Sequence, residues 1–336
     1  IDIELVASVL KALSSSFKDY VVYSASGYDL IIVATNGVTL PRPDPWLFEN
    51  PRLKRALHHV RLGSVQDLEI RKVWNKKALD PLLGTFDIRV NSDFFPVLDQ
   101  NAVRARFLLK NATEILKFTR WPLPAMEILT GSEFPWSRTN VTPAPHYIET
   151  SEAFDAMTIR DYVLDGNYSG GIANMKPEMQ RLASDLRNIA SGECGKSPQS
   201  PDLMSSLYNG VAVKMTPFLR PAEMERVWKA LDSGGCLQTL KSHEREWVDF
   251  FKALGQRDTK AMVDIAEHLL AAPERMKPGP LKYFVAAGML GSLNQGNPER
   301  AFHLWEQYKR DMFGENQPDL LFRLLVANSK RPKNGQ

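Results

Sequence analysis

The sequence predicts an α/β segment, one helix followed by a β-hairpin, joined to a mainly α-helical region of helical hairpins. Three observations predict it. Ile3, Val6, Leu10, Leu13 and Phe17 fall at helical spacing in IDIELVASVLKALSSSF, the single apolar stripe of an amphipathic helix. Two β-rich runs follow, Tyr20–Ser24 (YVVYS) and Leu30–Ala34 (LIIVA), joined through Ser26-Gly27, which is a hairpin signal. From about Glu149 onward the apolar spacing is helical almost throughout, with no strand pattern.

A lone hairpin is marginal in water and needs a sheet to join. Residues before Ile1 are expected to supply that sheet. The chain also starts without Met, so it reads as an internal or processed piece of a larger protein. Pro41, Pro43 and Pro45 then form a stiff connector. Leu47–Val60 and Val65–Trp74 read as helices, the second with a Ser64 cap and Asp67 at its third position. Asn91–Asp99 (NSDFFPVLD) is a polar-aromatic loop closed by Pro96, and Val103–Phe118 returns to helical spacing. Pro122, Pro124, Pro135, Pro143 and Pro145 mark a long irregular connection. The expected division is therefore 1–118, a proline-rich connector 119–148, an all-helical domain 149–329 and a polar tail 330–336.

In the helical half, Met179–Ala190, Ala222–Leu231, Glu244–Leu254, Thr259–Ala272, Leu281–Leu293, Pro298–Phe313 and Pro318–Asn328 read as helices. Asp258 and Asn297 are the caps, and Pro298 stands at a first helical position. A weak internal repeat aligns Ala253–Leu269 with Ser292–Tyr308 at an offset of 39 residues. Helix–turn–helix units of this kind stack because one unit cannot bury its own apolar face. Leu290–Tyr308 resembles a tetratricopeptide repeat across the helix junction, through Gly296-Asn297-Pro298, Ala301 and the following aromatics. Its offset exceeds that family's period of roughly 34 residues, a difference the Ala272–Pro280 loop could absorb. A stacked array would carry a concave groove along the first helices of its hairpins; an ordinary helical bundle is the other reading the residues leave open.

Composition narrows the function classes. The 336 residues are 43% hydrophobic and 24% charged, with 42 basic against 39 acidic side chains and a formal net charge of +3. That balance argues for neither nucleic acid nor an anionic membrane. Mean hydropathy is −0.28, and no run approaches the roughly 18 apolar residues of a membrane span. No signal peptide is visible, although one already removed would leave the same absence. The two cysteines, Cys194 and Cys236, suggest neither a disulfide framework nor zinc spacing, so a reduced, cytoplasmic setting is expected.

Two glycine-rich stretches fail on context. Ala190–Ser197 (ASGECGKS) approximates a phosphate loop, but a helix precedes it and Pro198 and Pro201 follow, whereas a working loop links a strand to a helix. Asp165–Gly171 (DGNYSGG) lacks a preceding strand and reads as a turn. Of the six histidines only His58 and His59 are neighbours, and no zinc-ligand spacing occurs. His268 and His303 read as solvated or packed, and Trp247, Trp305, Phe250-Phe251 and Tyr283-Phe284 as helix packing. The stretch NSDFFPVLD places the acceptors Asn91, Ser92, Asp93 and Asp99 beside Phe94 and Phe95. Carboxylates flanked by aromatics suit a polyamine or another cation. A capping Asp, with Phe94 or Phe95 anchoring the loop in the core, would produce the same pattern.

The run IDIELVASVLKALSSSFKDYVVY, then YDLIIVATNG and NSDFFPVLDQNAVRARFL, resembles the C-terminal part of spermidine synthase-like proteins, especially the large bacterial forms with an N-terminal membrane segment. The resemblance covers about residues 1–118. It implies an α/β remnant, the final helix and antiparallel hairpin of a methyltransferase-like doubly wound sheet. It also implies that Asn91, Asp93 and Asp99 stand in the family's late Asn-[Ser/Thr]-Asp-x-x-Pro region, as polyamine contacts. The donor of such a parent would be decarboxylated S-adenosylmethionine, seated by a Gly-rich loop, an acidic strand end and a catalytic Asp. None of these occurs in this chain, so no catalytic or cofactor-binding residue is assigned to it. The expectation is an aminopropyltransferase-like portion inactive alone, with polyamine or a protein as partner. A helical-repeat interaction module, or a relative of S-adenosylmethionine-dependent methyltransferases, are the alternatives.

Overall fold

The computed structural model describes residues 2–25, 29–41, 43–60, 62–69, 71–116, 118, 121–131, 148–168, 170–194, 202–271 and 276–330. Helix α1 spans Ile3–Ser16, its N-terminus capped by Asp2, whose carboxylate accepts the Leu5 N–H at 3.1 Å. At its other end the Lys76 ammonium donates to the Ser14 and Phe17 carbonyls at 2.5 and 2.6 Å, a cation on a helix C-terminus. Strands β1 (Asp19–Ser24) and β2 (Leu30–Thr35) pair antiparallel, Val22 opposite Ile32. The turn at Ser26-Gly27 lies outside the described residues.

The hairpin's partner comes from within the chain. After α2 (Trp46–Glu49), α3 (Pro51–His59) and α4 (Val65–Glu69), strand β3 (Lys72–Asn75) pairs antiparallel with the other edge of β1. The sheet order is β2-β1-β3, so β1 is central, its third strand comes from within the chain, and β2 stands at an edge. The expected helix Val65–Trp74 stops at Glu69. Its Ser64–Asp67 cap forms, with the Asp67 carboxylate accepting the Gly63 N–H at 2.8 Å. Beyond it Val73 and Trp74 are buried as strand residues against Tyr20 and Val22; a vacant strand edge overrides helical spacing. Leu47–Val60 is divided at Asn50-Pro51, where Asn50 caps α3 and Pro51 opens it.

Helix α5 (Lys76–Leu83) packs behind the sheet, α6 spans Val97–Phe107 and α7 Thr113–Leu116. The expected helix Val103–Phe118 is thus the end of α6, a turn with Leu109 at φ +53°, and α7. Helix α8 (Ala125–Thr130) lies in the proline-rich connector, whose Pro135, Pro143 and Pro145 fall outside the described residues.

The second half is helical: α9 (Ile148–Asp165), α10 (Gly170–Ala173), α11 (Pro177–Ala190), α12 (Leu203–Ser206) running into a π-helix (Leu207–Met215), α13 (Pro221–Ser233), a 3₁₀ turn (Cys236–Thr239), α14 (Ser242–Gln256), α15 (Thr259–Leu270), α16 (Pro278–Asn294), α17 (Pro298–Phe313) and α18 (Leu320–Ser329). From α13 to α18 each helix packs on the next. Asp258 and Asn297 cap α15 and α17 as their sequence predicts. Helix α16 is enclosed over most of its length. That helix is apolar around its circumference, with Tyr283 to Ser292 all buried, and α8 packs against it while Tyr283 donates to the Ala212 carbonyl of the π-helix.

Asp165 ends α9 and Gly170 opens α10, while Ser169 between them lies outside the described residues. Gly166 takes the left-handed conformation (φ +71°) after α9, and the Arg187 guanidinium caps that helix at the Val163 carbonyl, 2.8 Å. The phosphate-loop-like residues 195–197 lie outside the described residues.

Cys194 and Cys236 form a disulfide, which corrects the reading of them as unpaired. It ties the end of α11 to the 3₁₀ turn after α13. Here two backbones meet so closely that a Cβ on Gly234 would overlap the Ile189 carbonyl oxygen.

Two apolar cores result, one in the helical half and one around the sheet, and α18 serves both. Leu320 and Leu324 enter the sheet core, while Leu321, Phe322 and Leu325 enter the helical one. Among the described residues no helix is long and apolar enough to cross a membrane.

Candidate functional site

The NSDFFPVLD segment is a tight turn leading into α6. The Asn91 N–H donates to the Ser8 carbonyl at 3.2 Å, and its Oδ1 accepts the Leu98 N–H at 2.9 Å. Asn91 therefore ties the loop to α1 through its backbone N–H and caps α6 through its side chain. Ser92 and Phe95 close the turn by exchanging backbone hydrogen bonds of 3.0 and 3.1 Å. Asp93 is exposed at the tip, and Asp99 is exposed in the first turn of α6 rather than in the loop. Neither phenylalanine anchors the loop: Phe94 is 91% exposed, and Phe95, 53% exposed, carries the Arg89 guanidinium 5.2 Å above its ring. The exposed features of the loop and the first turn of α6 are thus two carboxylates and two aromatic rings.

Beside it runs a groove of about 410 Å³ between the start of α1, residues 87–89 and α6. Asp2, Glu4 and Asp87 supply its acidic side, and Arg89, Arg104 and Lys110 its basic side. Asp2 is partly neutralised by Lys110 at 3.5 Å. Asn91, Asp93 and Asp99 do not line it.

A larger cavity, about 550 Å³, opens on the helical half between α14 and α15. Its apolar lining is Trp247, Met204, Leu269 and Met276, and its polar rim is His243, Glu244, Glu246 and His268. The α14–α15 hairpin brings Glu246 and His268 together, Oε2 to Nδ1 at 3.3 Å. Glu244 caps its own helix by accepting the Lys241 N–H at 2.8 Å. The Trp247 ring is fixed edge-on by Phe284 and Phe251, with centroids at 4.9 and 6.3 Å. Tyr208 of the π-helix packs on Phe251 and Tyr283 behind it.

This cavity was not legible as a site in the sequence, where Trp247 and His268 read as packing and solvated residues. The available signal was the spacing of His243, Glu246 and Trp247 along one side of α14. That His268 faces them follows only from the hairpin register. Among the described residues no three His, Cys, Asp or Glu side chains converge on a metal position.

No family model matches the chain, and no curated protein and no solved structure is similar to it.

Proposed function

We propose that this chain belongs to an aminopropyltransferase-like protein and serves it as a protein-interaction module without catalysis of its own. The helix-and-hairpin order of α1, β1 and β2 supports the first part, in keeping with the resemblance of residues 1–118. The observation that carries the second part is the α14–α15 cavity, where an ordered tryptophan and two carboxylates face solvent on a rigid helical array. Rigid elements carrying a pocketed aromatic are what interaction hot spots are made of. The test is a photo-crosslinking residue placed at position 243, on the cavity rim, in the full-length protein in its own cells. A discrete protein adduct supports the module; its absence overturns it.

A second reading keeps polyamine as ligand, with Asp93 and Asp99 as contacts and Asn91 as the residue that shapes their loop. The exposed carboxylates beside Phe94 and Phe95 favour it. Calorimetric titration with spermidine and putrescine tests it, and an unchanged affinity in Asp93→Ala would remove it. Decarboxylated S-adenosylmethionine, the donor implied by resemblance, is expected to give no heat.

The pairing of Cys194 with Cys236 bears on the compartment. A reduced, cytoplasmic setting would keep Cys194 and Cys236 as thiols, and their pairing supports an oxidising compartment instead.

A further inference from the structure

We infer that the outer face of α6 joins two copies of this chain, packed antiparallel about a two-fold axis at Val103. The face is exposed and apolar. Of the fourteen large apolar side chains exposed among the described residues, six fall between positions 94 and 109: Phe94, Phe95, Val103, Phe107, Leu108 and Leu109. Val103 is 73% exposed, and Phe107 and Leu109 are each 87% exposed. Apolar surface so concentrated marks an interaction site rather than ordinary exterior.

The charge pattern along α6 selects a second copy. Helical spacing puts Asp99, Gln100, Val103, Arg106 and Phe107 on one stripe, while Ala105 on the other side of the helix is buried. The exposed carboxylates, Asp93 and Asp99, stand before and within its first turn; Arg106 and Lys110 stand in and just beyond its last. Lys110 is shared with Asp2 at 3.5 Å, its side chain remaining 54% exposed. A parallel partner would set Asp99 against Asp99 and Arg106 against Arg106. An antiparallel one sets Asp99 of each copy beside Arg106 of the other, with Val103 against Val103 at the centre. It also brings the Phe94-Phe95 turn of one copy toward the Phe107–Leu109 end of the other. Such self-complementarity is what a two-fold interface requires. An anionic membrane would instead press both carboxylates against its own headgroups.

Leu109 supplies an independent observation. Helix α6 closes in a Schellman turn, in which the Lys110 N–H donates to the Ala105 carbonyl at 2.9 Å and the Leu109 N–H to the Arg106 carbonyl at 3.1 Å. Leu109 there takes the left-handed conformation, φ +53°, a place that glycine ordinarily fills. Leucine strains the backbone at this position, yet its side chain gains little burial within its own protomer. Strain of this kind persists at functional positions, and a contact beyond the protomer gives this side chain its use.

Sedimentation equilibrium of the full chain tests the inference. A reversible monomer–dimer equilibrium is expected, with Kd about 10 µM, in keeping with a small interface. Asp99→Lys and Arg106→Asp are each expected to weaken dimerisation about tenfold. The double variant, which restores opposite charges across the axis, is expected to return to within about threefold of the native affinity. Leu109→Gly is expected to weaken dimerisation without lowering the melting temperature of the dilute protein, because glycine relaxes the turn. Val103→Cys is expected to give a disulfide-linked dimer under oxidised glutathione. Monomers at every concentration, a double variant as weak as the single ones, native dimerisation by Leu109→Gly, or no covalent dimer of Val103→Cys overturns the inference. So does binding to phosphatidylserine vesicles by a chain that stays monomeric, which would make the patch a lipid contact.

Discussion

The Arg257 guanidinium and the Glu127 carboxylate meet at 2.9 Å and join the helical array to α8. Arg257 ends α14 in the left-handed conformation (φ +58°), which aims its side chain inward. There it also donates to the Thr216 and Leu219 carbonyls at 3.2 and 3.0 Å and to the Gly255 carbonyl at 3.1 Å. One side chain thus satisfies carbonyls from two chain segments and a carboxylate from a third. Removing one partner of a buried pair typically costs about 3–5 kcal/mol; this pair is partly buried, and Arg257→Ala is expected at or below the lower end of that range by urea unfolding. Arg257→Gly should be about 1 kcal/mol milder, because glycine tolerates the backbone conformation. Equal losses would mean that the backbone contributes nothing.

The disulfide closes a loop of 42 residues by sequence separation. On the chain-entropy account that contributes about 4 kcal/mol. Cys194→Ala, at the exposed end of the bond, is expected to lose most of it. The native protein should show no thiol reactive toward Ellman's reagent until it is reduced.

Gly234 tests the close approach beside that bond independently. A methyl group there would overlap the Ile189 carbonyl oxygen, and backbone cannot step aside as a flexible side chain can. Gly234→Ala is expected to lower the melting temperature by several degrees. A neutral outcome would show that α11 and α13 do not approach as described.

At the predicted polyamine loop, stability and binding should separate. Asn91→Ala removes the acceptor that caps α6 and is expected to cost about 1 kcal/mol. Asp93→Ala, exposed at the tip, should stay within about 0.5 kcal/mol of the native stability. Any effect it has on spermidine binding would then report contact rather than folding.

Alkaline pH should destabilise the fold through buried tyrosines in both cores, Tyr20 and Tyr23 at the sheet and Tyr283 in the helical half. Burial, and then the Glu69 carboxylate, push the Tyr23 phenol up to about 12; burial, and then Asp80, raise Tyr20. The folded state therefore holds these protons more tightly than the unfolded chain does. Their contribution is fully present below pH about 10, the ordinary tyrosine value, and is lost as pH rises toward 12. The urea midpoint should fall across that window, and Tyr23→Phe should flatten the fall.

Helices with an apolar stripe and a polar cap were legible in the sequence, because both signals are local: α17 begins at Pro298 behind its Asn297 cap, as read. What local spacing cannot carry is pairing. Lys72–Asn75 becomes a strand only because β1 has a second edge to fill. Cys194 and Cys236 meet only because α11 and α13 pack end to end through Gly234. The candidate loop was found by its composition, yet Asn91 proved to be a cap, and Phe94 and Phe95 point outward. The α14–α15 cavity depends on a hairpin register that no single helix encodes.

The central claim is that this chain binds a protein and does not transfer an aminopropyl group. Its most direct test is the photo-crosslinking residue at position 243, paired with an assay for spermidine formation from decarboxylated S-adenosylmethionine and putrescine. The account predicts a discrete protein adduct and no product. Spermidine formation, with no adduct at the cavity rim, would contradict it.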